Sequence, residues 1–551
     1  MILLLWPFAA AALSGLLLAL CYPPFSVNAL VWVALVPWIA ALWFSGPWKK
    51  RDFLRPLLIG FLAGAVFFLC VFSWIITVTA LGWFLLALYL ALYPAVWSWF
   101  VVACATPRGK DPSALWLSST ANLRVTAIAA AGWVTQEWLR GTVFSGFGWN
   151  GLGVALHEQI PLIQIASFTG VLGLSFLVAM CSFMLVATVR RFIAEVGSRR
   201  IRPHLDFSVT LALVALSFAY GIREMSRKIE TEPLRVAAVQ TNIPQEVRWA
   251  DGTEEQILES LLLQTEQAVA LRPDVILWPE SATPQPLLSD NDTFQQVSRV
   301  AQTFDGDLLT GTVHFAVDAA YNSVALLSDK ATAVQLQHKQ HLVPFGEFVP
   351  FRESFPLFAW IVADQIPGDF DAGREATPLQ LTRKDIRLGA LICFEDTLGY
   401  ITRRFALNGV QLFVNVTNDG WFGKSAGSEQ HLANAVFRGP ETGLPMVRCA
   451  NTGVTCFIDR LGSVRQTLST EKGDTFITGI LLGGIDVPRN PERTLYTRNG
   501  DLFAYACVAV TAWCVLAAFW RTRRAGAPTS NPNAEIGIHH KGHEAHEDAE
   551  D

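Results

Sequence analysis

Long uninterrupted runs of apolar residues fill most of the first 222 positions of the chain, and one more run lies near its end. An α-helix needs about 17 to 25 predominantly apolar residues to cross the hydrocarbon core of a bilayer. By this measure the sequence predicts about eight transmembrane helices, at 2–21, 28–45, 57–78, 83–104, 125–139, 160–188, 207–221 and 502–520. We therefore expect a helical membrane domain of seven spans at 1–222 and a separate C-terminal transmembrane helix at 502–520.

The composition of the whole chain also indicates a membrane protein. Hydrophobic residues make up 52% of its 551 residues and charged residues only 16%, which is too apolar for an ordinary soluble protein. The fifth and seventh predicted spans are short, and the fifth carries Gln136 and Glu137. The first has no basic stretch before it and no small-residue cleavage site before Pro23 and Pro24, so we expect a retained span rather than a signal peptide.

Basic residues in the short loops predict the orientation of the chain, because Lys and Arg beside a span resist translocation. Every second loop is basic, through Lys49, Lys50, Arg51 and Arg55, then Arg108, Lys110 and Arg124, then Arg190, Arg191, Arg199, Arg200 and Arg202, and finally Arg521, Arg523 and Arg524. We expect these loops to face the cytoplasm, which places the soluble domain on the opposite side, in the periplasm or an equivalent space. Residues 525–551 are predicted to form a disordered cytoplasmic tail.

The stretch 230–487 has the composition of a soluble protein and predicts strands that alternate with helices. Apolar, β-rich runs occur at 234–240, 274–278, 307–313, 322–328, 386–392, 410–416, 453–459 and 476–482, and helical patterns at 253–271, 292–304, 398–408 and 428–438. This alternation indicates a layered α/β domain. In such folds the chemistry gathers where loops leave the carboxyl ends of strands.

Three residues with reactive side chains follow predicted strands of this domain. Glu280 lies in LWPES and Cys393 in LICFED, and Lys339 lies in HKQHLVPFGEFVP after a strand that is predicted to end near His338. Taken alone, a cysteine after an apolar strand is commonly a buried small side chain, and a lone Glu or Lys is commonly a surface charge. Together they suit acyl transfer, with Glu280 as general base and acid, Lys339 as stabiliser of negative charge, and Cys393 as the nucleophile that holds the acyl group as a thioester.

The order and separation of these motifs resemble the carbon–nitrogen hydrolase, or nitrilase, superfamily with its Glu-Lys-Cys triad. Within it, the surrounding membrane spans resemble the apolipoprotein N-acyltransferase branch. Four further segments are similar to that branch: LRGTVFSGFGWNGLG (139–153), VQTNIPQEVRW (239–249), NVTNDGWFG (415–423) and QHLANAVFR (430–438). The resemblance therefore extends over nearly the whole chain.

The resemblance implies a fold and a reaction. The fold is a four-layer αββα sandwich, which is nitrilase-like, set on a multi-pass bundle of membrane helices. The reaction transfers a fatty acyl chain from a membrane phospholipid to the N-terminal amine of the diacylglyceryl-cysteine of apolipoproteins, the last step of lipoprotein maturation. A monomeric enzyme in the bacterial inner membrane is expected, with its catalytic domain on the periplasmic side.

Several accessory residues are also implied by the resemblance. Glu347 and Glu395 match further acidic positions of the active site, and Trp249 and Trp421 match positions associated with substrate handling. A structural role stays open for each of two residues: Glu347 could instead anchor its own loop, and Trp421 could instead be a packing aromatic. Residue 394 is Phe where many superfamily members have Tyr, so we expect no polar catalytic role there.

Two other functions stay open from the residues alone. The triad would also permit a membrane-tethered amidase of nitrilase type, although one span would be enough for tethering. A transporter with a non-catalytic periplasmic domain fits poorly with a complete triad and with spans that hold few charges. A net charge of −5 gives no support to a nucleic-acid partner, and we expect no cofactor, because no metal-ligand cluster or nucleotide-binding loop is evident.

Three features of the apolar segments lead to further predictions. Residues 351–370, after the Lys339 loop, are either a mobile lid that contacts lipid or a buried insertion. Gly60 and Gly64 have the spacing that predicts close packing of helices. Glu137 and Arg140 lie one helical turn apart, so they either help to hold a phospholipid headgroup or pair with each other.

Two features of the soluble domain lead to predictions of local contacts. Arg438 and Glu441 are one helical turn apart and are expected to form a structural ion pair. A tight hairpin centred on Thr452 and Gly453 would place Cys449 and Cys456 opposite each other, where they could be oxidised to a disulfide.

Overall fold

The computed structural model describes residues 2–46, 53–106, 118–198, 203–248, 252–328, 330–350 and 369–526. Three predictions fall wholly or largely outside this part of the chain: the lid at 351–370, the substrate-handling residue Trp249, and the tail at 525–551. They stay predictions.

Helices dominate the chain up to residue 225. α-Helices run over Ile2–Ala19, Val31–Ala34, Val36–Phe44, Leu54–Val71, Ala80–Phe100, Ser119–Arg140, Ile160–Ile163, Ala166–Thr169, Val171–Ser198 and Leu205–Met225, and a last one over Leu502–Gly526. Between them lie 3-10 turns at Asn28–Leu30, Ser73–Thr77, Val143–Ser145 and Leu152–Leu156 and a π-helical turn at Val101–Ala105. Within the described residues, five helices are long and apolar enough to cross a membrane: Leu54–Val71, Ala80–Ala105, Val171–Val196, Leu205–Met225 and Leu502–Arg521.

The other predicted spans are shorter, interrupted or more polar. Leu5–Ala19, Asn28–Phe44 and Ile160–Thr169 are apolar but shorter, and Ser119–Arg140 is long but less apolar. The helix is interrupted within each of the predicted spans 28–45 and 160–188. Pro37 has no N–H and its ring would clash with the carbonyl of Val33, so one helix ends at Ala34 and the next begins with Pro37 in its first turn. Gly170 takes a left-handed φ of 66° and ends the helix Ala166–Thr169.

Glycines bring two of the membrane helices together, as their spacing predicts. A Cβ atom at Gly64 would lie 2.5 Å from Cγ of Pro94, and a Cβ atom at Gly60 would lie 2.5 Å from the carbonyl oxygen of Pro94. No side chain tolerates such distances. The helices Leu54–Val71 and Ala80–Phe100 therefore approach this closely because both positions lack a Cβ atom.

The soluble domain contains two six-stranded sheets. The strands are β1 (Thr231–Gln240), β2 (Val275–Leu277), β3 (Asp307–Phe315), β4 (Ala320–Ser328), β5 (Ala333–His338), β6 (Leu379–Gln380), β7 (Arg387–Ile392), β8 (Leu412–Thr417), β9 (Met446–Ala450), β10 (Cys456–Ile458), β11 (Val464–Thr467) and β12 (Gly479–Pro488). Their order is β12-β1-β2-β3-β4-β5 in one sheet and β11-β10-β9-β8-β7-β6 in the other. β1, β2 and β3 are parallel, as are β7, β8 and β9.

The two sheets pack face to face and carry helices on their outer faces. Alternate residues along each strand point to opposite faces, and the inner faces share one apolar core that includes Val236, Leu277, Ile392 and Val416. The helices Glu254–Ala270 and Asn291–Ala301 cover the first sheet. Gly399–Leu407, Gly427–Ala435 and Arg438–Thr442 lie against the second, and Gln245–Arg248 and Leu495–Asn499 are short peripheral helices. This is the αββα sandwich that the resemblance implies.

The predicted facing of Cys449 and Cys456 is wrong. In the antiparallel pair of β9 and β10, the residue opposite Cys456 is Arg448, one position away from Cys449. Neighbouring residues of a strand point to opposite faces, so Cys449 lies in the core between the sheets while Cys456 lies on the outer side. Both cysteines are free.

Candidate active site

Glu280 lies three residues beyond the end of β2. Its segment stays against β3, because the amide of Trp278 donates to the carbonyl of Leu309 (2.8 Å) and the amide of Gly311 donates to the carbonyl of Pro279 (3.1 Å). A Cβ atom at Gly311 would lie 2.6 Å from that oxygen, so only glycine allows this approach. The carboxylate of Glu280 is thereby held in the interior, with 8% of the residue exposed.

Lys339 directly follows β5, and its side chain is almost completely buried. Its Nζ lies 2.9 Å from Oε1 of Glu347 and 3.7 Å from Oε1 of Glu280. A buried ammonium group is stable only beside opposite charge. The two carboxylates supply that charge and fix the amine inside the site.

Cys393 directly follows β7 and starts the 3-10 turn Cys393–Thr397. It adopts a left-handed φ of 55°, which costs a non-glycine residue about 1 to 3 kcal/mol. Asn415 on β8 donates from Nδ2 to the Cys393 carbonyl at 2.7 Å and holds the turn at the end of the sheet. In this conformation the thiol and the Glu280 carboxyl group are close enough to influence each other's pKa.

Glu395 and Asn322 connect the three loops that carry these residues. One carboxylate oxygen of Glu395 accepts from the amides of Gln340 (2.6 Å) and His341 (3.0 Å), and the other accepts from the amide of Ile392 (2.9 Å). The Lys339 loop is thereby tied to the Cys393 turn. Asn322 on β4 donates from Nδ2 to Glu280 (2.9 Å) and to Glu347 (2.8 Å), which holds both carboxylates beside the lysine.

Burial and charge set the proton affinities of the site. Burial raises the pKa of Cys393 well above its usual value; the Glu280 carboxylate adds to this and the Lys339 ammonium opposes it. Burial likewise raises the pKa of Glu280, against the effect of Lys339. Burial lowers the pKa of Lys339, but the carboxylates of Glu347 and Glu280 outweigh it and raise that pKa overall. The site can therefore hold a neutral thiol beside a carboxylate with increased proton affinity and a permanent cation.

The two acidic residues Glu347 and Glu395 lie beside the Lys339 and Cys393 loops and have structural contacts of their own. Glu347 bonds to Lys339 and also accepts from the amide of Val343 (2.8 Å), so it anchors its loop as well. Burial raises the pKa of Glu395 to about 7. Phe394 places its ring 5.9 Å from Nζ of Lys339 and offers that cation an aromatic face instead of a phenolic hydroxyl.

Trp421 lies at the junction with the membrane domain. It belongs to the 3-10 turn Asp419–Phe422 and is 52% exposed, so it is not a buried packing aromatic. Its carbonyl accepts from Oγ1 of Thr77 (3.4 Å), and the ring of Phe422 packs on Trp74 with centroids 4.5 Å apart. The Trp421 side of the site therefore borders the segment that follows the helix Leu54–Val71.

Glu137 and Arg140 do not form the predicted mutual pair in the described part of the chain. Glu137 accepts from Nε1 of Trp133 (2.7 Å) and from the amide of Leu152 (2.7 Å). Arg140 donates to the carbonyls of Phe147, Gly148 and Trp149. Both side chains thus fix the segment after their own helix. The predicted ion pair of Arg438 and Glu441 is present at 2.9 Å.

Several polar residues near the site were not identified from the sequence. Asn322 and Asn415 lie inside strands, where a side-chain amide is unusual, and this was the available signal. Asp396, Asp419, His431 and Arg448 form a buried cluster behind the Cys393 turn. Among the described residues, no group of three or more His, Cys, Asp or Glu side chains has the arrangement of a metal site.

Family models match the sequence of both halves of the chain. A family model described as the apolipoprotein N-acyltransferase N-terminal domain matches residues 14–184, and the carbon-nitrogen hydrolase model matches residues 235–488. The carbon-nitrogen hydrolase from Helicobacter pylori G27 covers 53% of this chain and 96% of its own, with 14% identity and a TM-score of 0.33.

Curated relatives match over almost the full length. An apolipoprotein N-acyltransferase from Geobacter metallireducens is 34% identical over 532 residues, which cover 93% of this chain and 95% of that protein. Another, from Brucella melitensis biotype 1, is 31% identical over 512 residues, or 88% of this chain and 90% of that protein. Because identity at this level extends through both domains, the chain belongs to the apolipoprotein N-acyltransferase family.

Proposed function

We propose that this chain transfers a fatty acyl chain from a membrane phospholipid to the N-terminal amine of the diacylglyceryl-cysteine of apolipoproteins, with Cys393 as the acyl carrier. The relatives whose names state this activity are similar through both domains. The observation that carries the proposal is the convergence of Glu280, Lys339 and Cys393 in one buried site beside apolar helices. This combination suits a thioester-forming enzyme with lipid substrates.

The first half-reaction forms the acyl-enzyme. The Glu280 carboxylate accepts the proton of the Cys393 thiol as Sγ bonds to the ester carbonyl carbon of the phospholipid. The Lys339 ammonium stabilises the negative charge that develops on the carbonyl oxygen. When the ester C–O bond breaks, Glu280 returns the proton to the departing oxygen, so a lysophospholipid leaves and a thioester remains.

The second half-reaction consumes the thioester. The neutral amine of the lipoprotein bonds to the thioester carbonyl carbon, and its excess proton passes to Glu280. The C–S bond then breaks, an amide is formed, and Glu280 returns the proton to the sulfur of Cys393. The enzyme is restored without any net oxidation or reduction, and the two substrates react in ping-pong order.

The accessory residues support these steps by position. Glu347 keeps Lys339 charged and in place, and Glu395 keeps the Lys339 loop against the Cys393 turn. Trp421, which is exposed beside the membrane domain, is assigned to substrate handling. Trp249 receives the same role from the family resemblance.

The proposed arrangement in the membrane has eight spans, seven within 1–222 and one at 502–520. The catalytic domain, 230–487, lies on the periplasmic side of the bacterial inner membrane, the tail lies in the cytoplasm, and the enzyme acts as a monomer. A long acyl chain leaves a bilayer reluctantly, since each buried methylene contributes about 0.8 kcal/mol. An enzyme embedded in the membrane reaches both lipid substrates without extracting them.

Mass spectrometry of the full-length protein tests the proposal. The purified protein is incubated with vesicles of phosphatidylethanolamine and phosphatidylglycerol, and the peptide that contains Cys393 is analysed. We expect a fatty acyl adduct on Cys393 that is absent from Cys393→Ala and that disappears, with formation of an amide, when a diacylglyceryl peptide is added. Release of free fatty acid without amide formation would reject the transferase in favour of a hydrolase.

A further inference from the structure

The helix Gly427–Ala435, here called the junction helix, lies between the active site and the membrane domain. On one side, Gln430 donates from Nε2 to the carbonyls of Pro23 (2.8 Å) and Val71 (2.9 Å). Its Oε1 accepts from Nε1 of Trp74 (2.9 Å) and Nδ2 of Asn150 (2.8 Å). Since Gln430 is 1% exposed, these bonds fix the helix firmly to three segments of the membrane domain.

The next residue of the junction helix, His431, faces the active site. Its Nε2 lies 2.8 Å from Oδ1 of Asp396, in the turn that Cys393 begins, and its Nδ1 lies 2.9 Å from Oδ1 of Asp419, in the turn that carries Trp421. All three side chains are completely buried. The indole of Trp149, from the membrane domain, stacks on the imidazole with centroids 5.2 Å apart.

The hydrogen bonds that His431 makes indicate that its imidazole is charged. An ionised carboxylate only accepts hydrogen bonds, and a neutral imidazole has one N–H. With a carboxylate on each ring nitrogen, both nitrogens donate only when the ring is an imidazolium. The cluster also contains Arg448, which contacts Asp396 and lies 3.7 Å from Asp419. Two carboxylates, one guanidinium and one imidazolium leave the buried cluster neutral, as burial requires.

The charge of this cluster acts on the nucleophile. The Asp419 carboxylate is one of the groups that raise the pKa of Cys393, after burial and Glu280. The charged groups that act on the thiol are Glu280, Lys339, Glu347, Asp419 and Arg448, and those around His431 are Asp396, Asp419 and Arg448. A cation on His431 therefore offsets the one acidic group that the two sets share.

We propose that His431 is a positioning residue for acyl transfer: held as an imidazolium between Asp396 and Asp419, it fixes the Cys393 turn against the Trp421 turn and offsets the charge of Asp419 beside the thiol. Through Trp149 and its neighbour Gln430, it also ties this geometry to the membrane domain. The inference rests on the proposed function only in taking Cys393 as the reacting residue.

Alkylation of Cys393 tests the inference without any acyl transfer. The rate at which iodoacetamide labels the Cys393 peptide is measured by mass spectrometry at fixed pH values from 7 to 9, in the full-length protein. In His431→Gln, Asp419 loses one of its two cations among the described residues and keeps only Arg448, at 3.7 Å. Labelling should then slow by about three- to tenfold, which corresponds to a rise of about half to one unit in the pKa of Cys393. In Asp419→Asn, whose amide oxygen still accepts from Nδ1, labelling should accelerate.

The double variant His431→Gln with Asp419→Asn separates charge from structure. Removal of one cation and one anion should return the labelling rate to within about twofold of the wild type. Equal slowing in all three variants, or an unchanged rate in both single variants, overturns the role of His431. Should His431→Gln fail to fold, the comparison of the double variant with Asp419→Asn decides, because the double variant labels more slowly than Asp419→Asn if His431 carries a charge and at the same rate if its role is purely structural. Absence of acyl transfer by the wild-type protein would instead reject the proposed function.

Discussion

Asn322 holds the two carboxylates of the site in place, and its replacement by alanine tests the geometry directly. Its Nδ2 donates to Glu280 at 2.9 Å and to Glu347 at 2.8 Å. A hydrogen bond to a charged group contributes about 1.5 to 3 kcal/mol. Loss of both bonds therefore costs at least about 3 kcal/mol before water replaces part of it. In Asn322→Ala, Glu280 loses this donor and keeps its ion pair with Lys339.

The expected result is slower formation of the acyl-enzyme. If about 3 kcal/mol of positioning energy is lost from the transition state, the rate falls about 100-fold. The Asn322 hydrogen bond also lowers the pKa of Glu280, so the acidic limb of the pH–rate profile should move to higher pH in the variant. Both quantities come from a time course of the intact-protein mass after mixing with phospholipid vesicles.

Asn408→Ala provides the matched control. Its side chain also donates one amide hydrogen bond, to the carbonyl of Ala376 at 2.7 Å, and it makes no contact with the triad in the described residues. It should lose stability slightly and keep the wild-type rate and pH profile. The reasoning about Asn322 is refuted if Asn322→Ala, folded as judged by thermal unfolding, reacts within threefold of wild type with an unchanged pH profile.

Three further predictions follow from buried contacts. Burial raises the pKa of Glu395 to about 7 in the folded protein from a usual value of 4.5. The protonated carboxyl group therefore contributes about 3 kcal/mol to the free energy of unfolding below about pH 4.5, and this contribution is lost as the pH rises to about 7. The Tm should fall over this range, and it should fall less steeply in Glu395→Gln. Lys339→Met leaves Glu280 and Glu347 without their cation and should lower stability by about 3 to 5 kcal/mol, measured by chemical denaturation; an unchanged midpoint would contradict the pairing. Gln430→Ala should speed proteolytic release of the catalytic domain severalfold, whereas Gln335→Ala, which removes bonds within that domain, should not.

Much of the catalytic domain could be predicted because its signals are local. The run 386–392 is apolar and rich in β-branched or small residues, and β7 occupies Arg387–Ile392. A reactive residue after such a strand must lie at the end of the sheet, which is why Glu280, Lys339 and Cys393 could be chosen together. The short β6 and β11 had no comparable signal, because edge strands are held by their partners more than by their own apolar pattern.

The membrane domain shows where a prediction from hydropathy, averaged over a window of residues, misleads. The runs 28–45 and 160–188 are apolar throughout, but Pro37 and Gly170 interrupt the helices inside them. Both breakers were visible in the sequence. Long-range contacts were not: the contact of His431 with Asp396 joins residues that are 35 positions apart in the chain.

The fate of a single labelled acyl group tests the central claim most directly. Full-length protein is loaded from a phospholipid with an isotopically labelled acyl chain, freed of excess lipid, and mixed with a diacylglyceryl peptide while the Cys393 peptide and the peptide product are followed together. The label should leave Cys393 at the rate at which the N-acylated peptide appears, and Cys393→Ala should carry no label and form no product. Product that forms while the label stays on Cys393, or that forms in Cys393→Ala, would contradict the thioester mechanism.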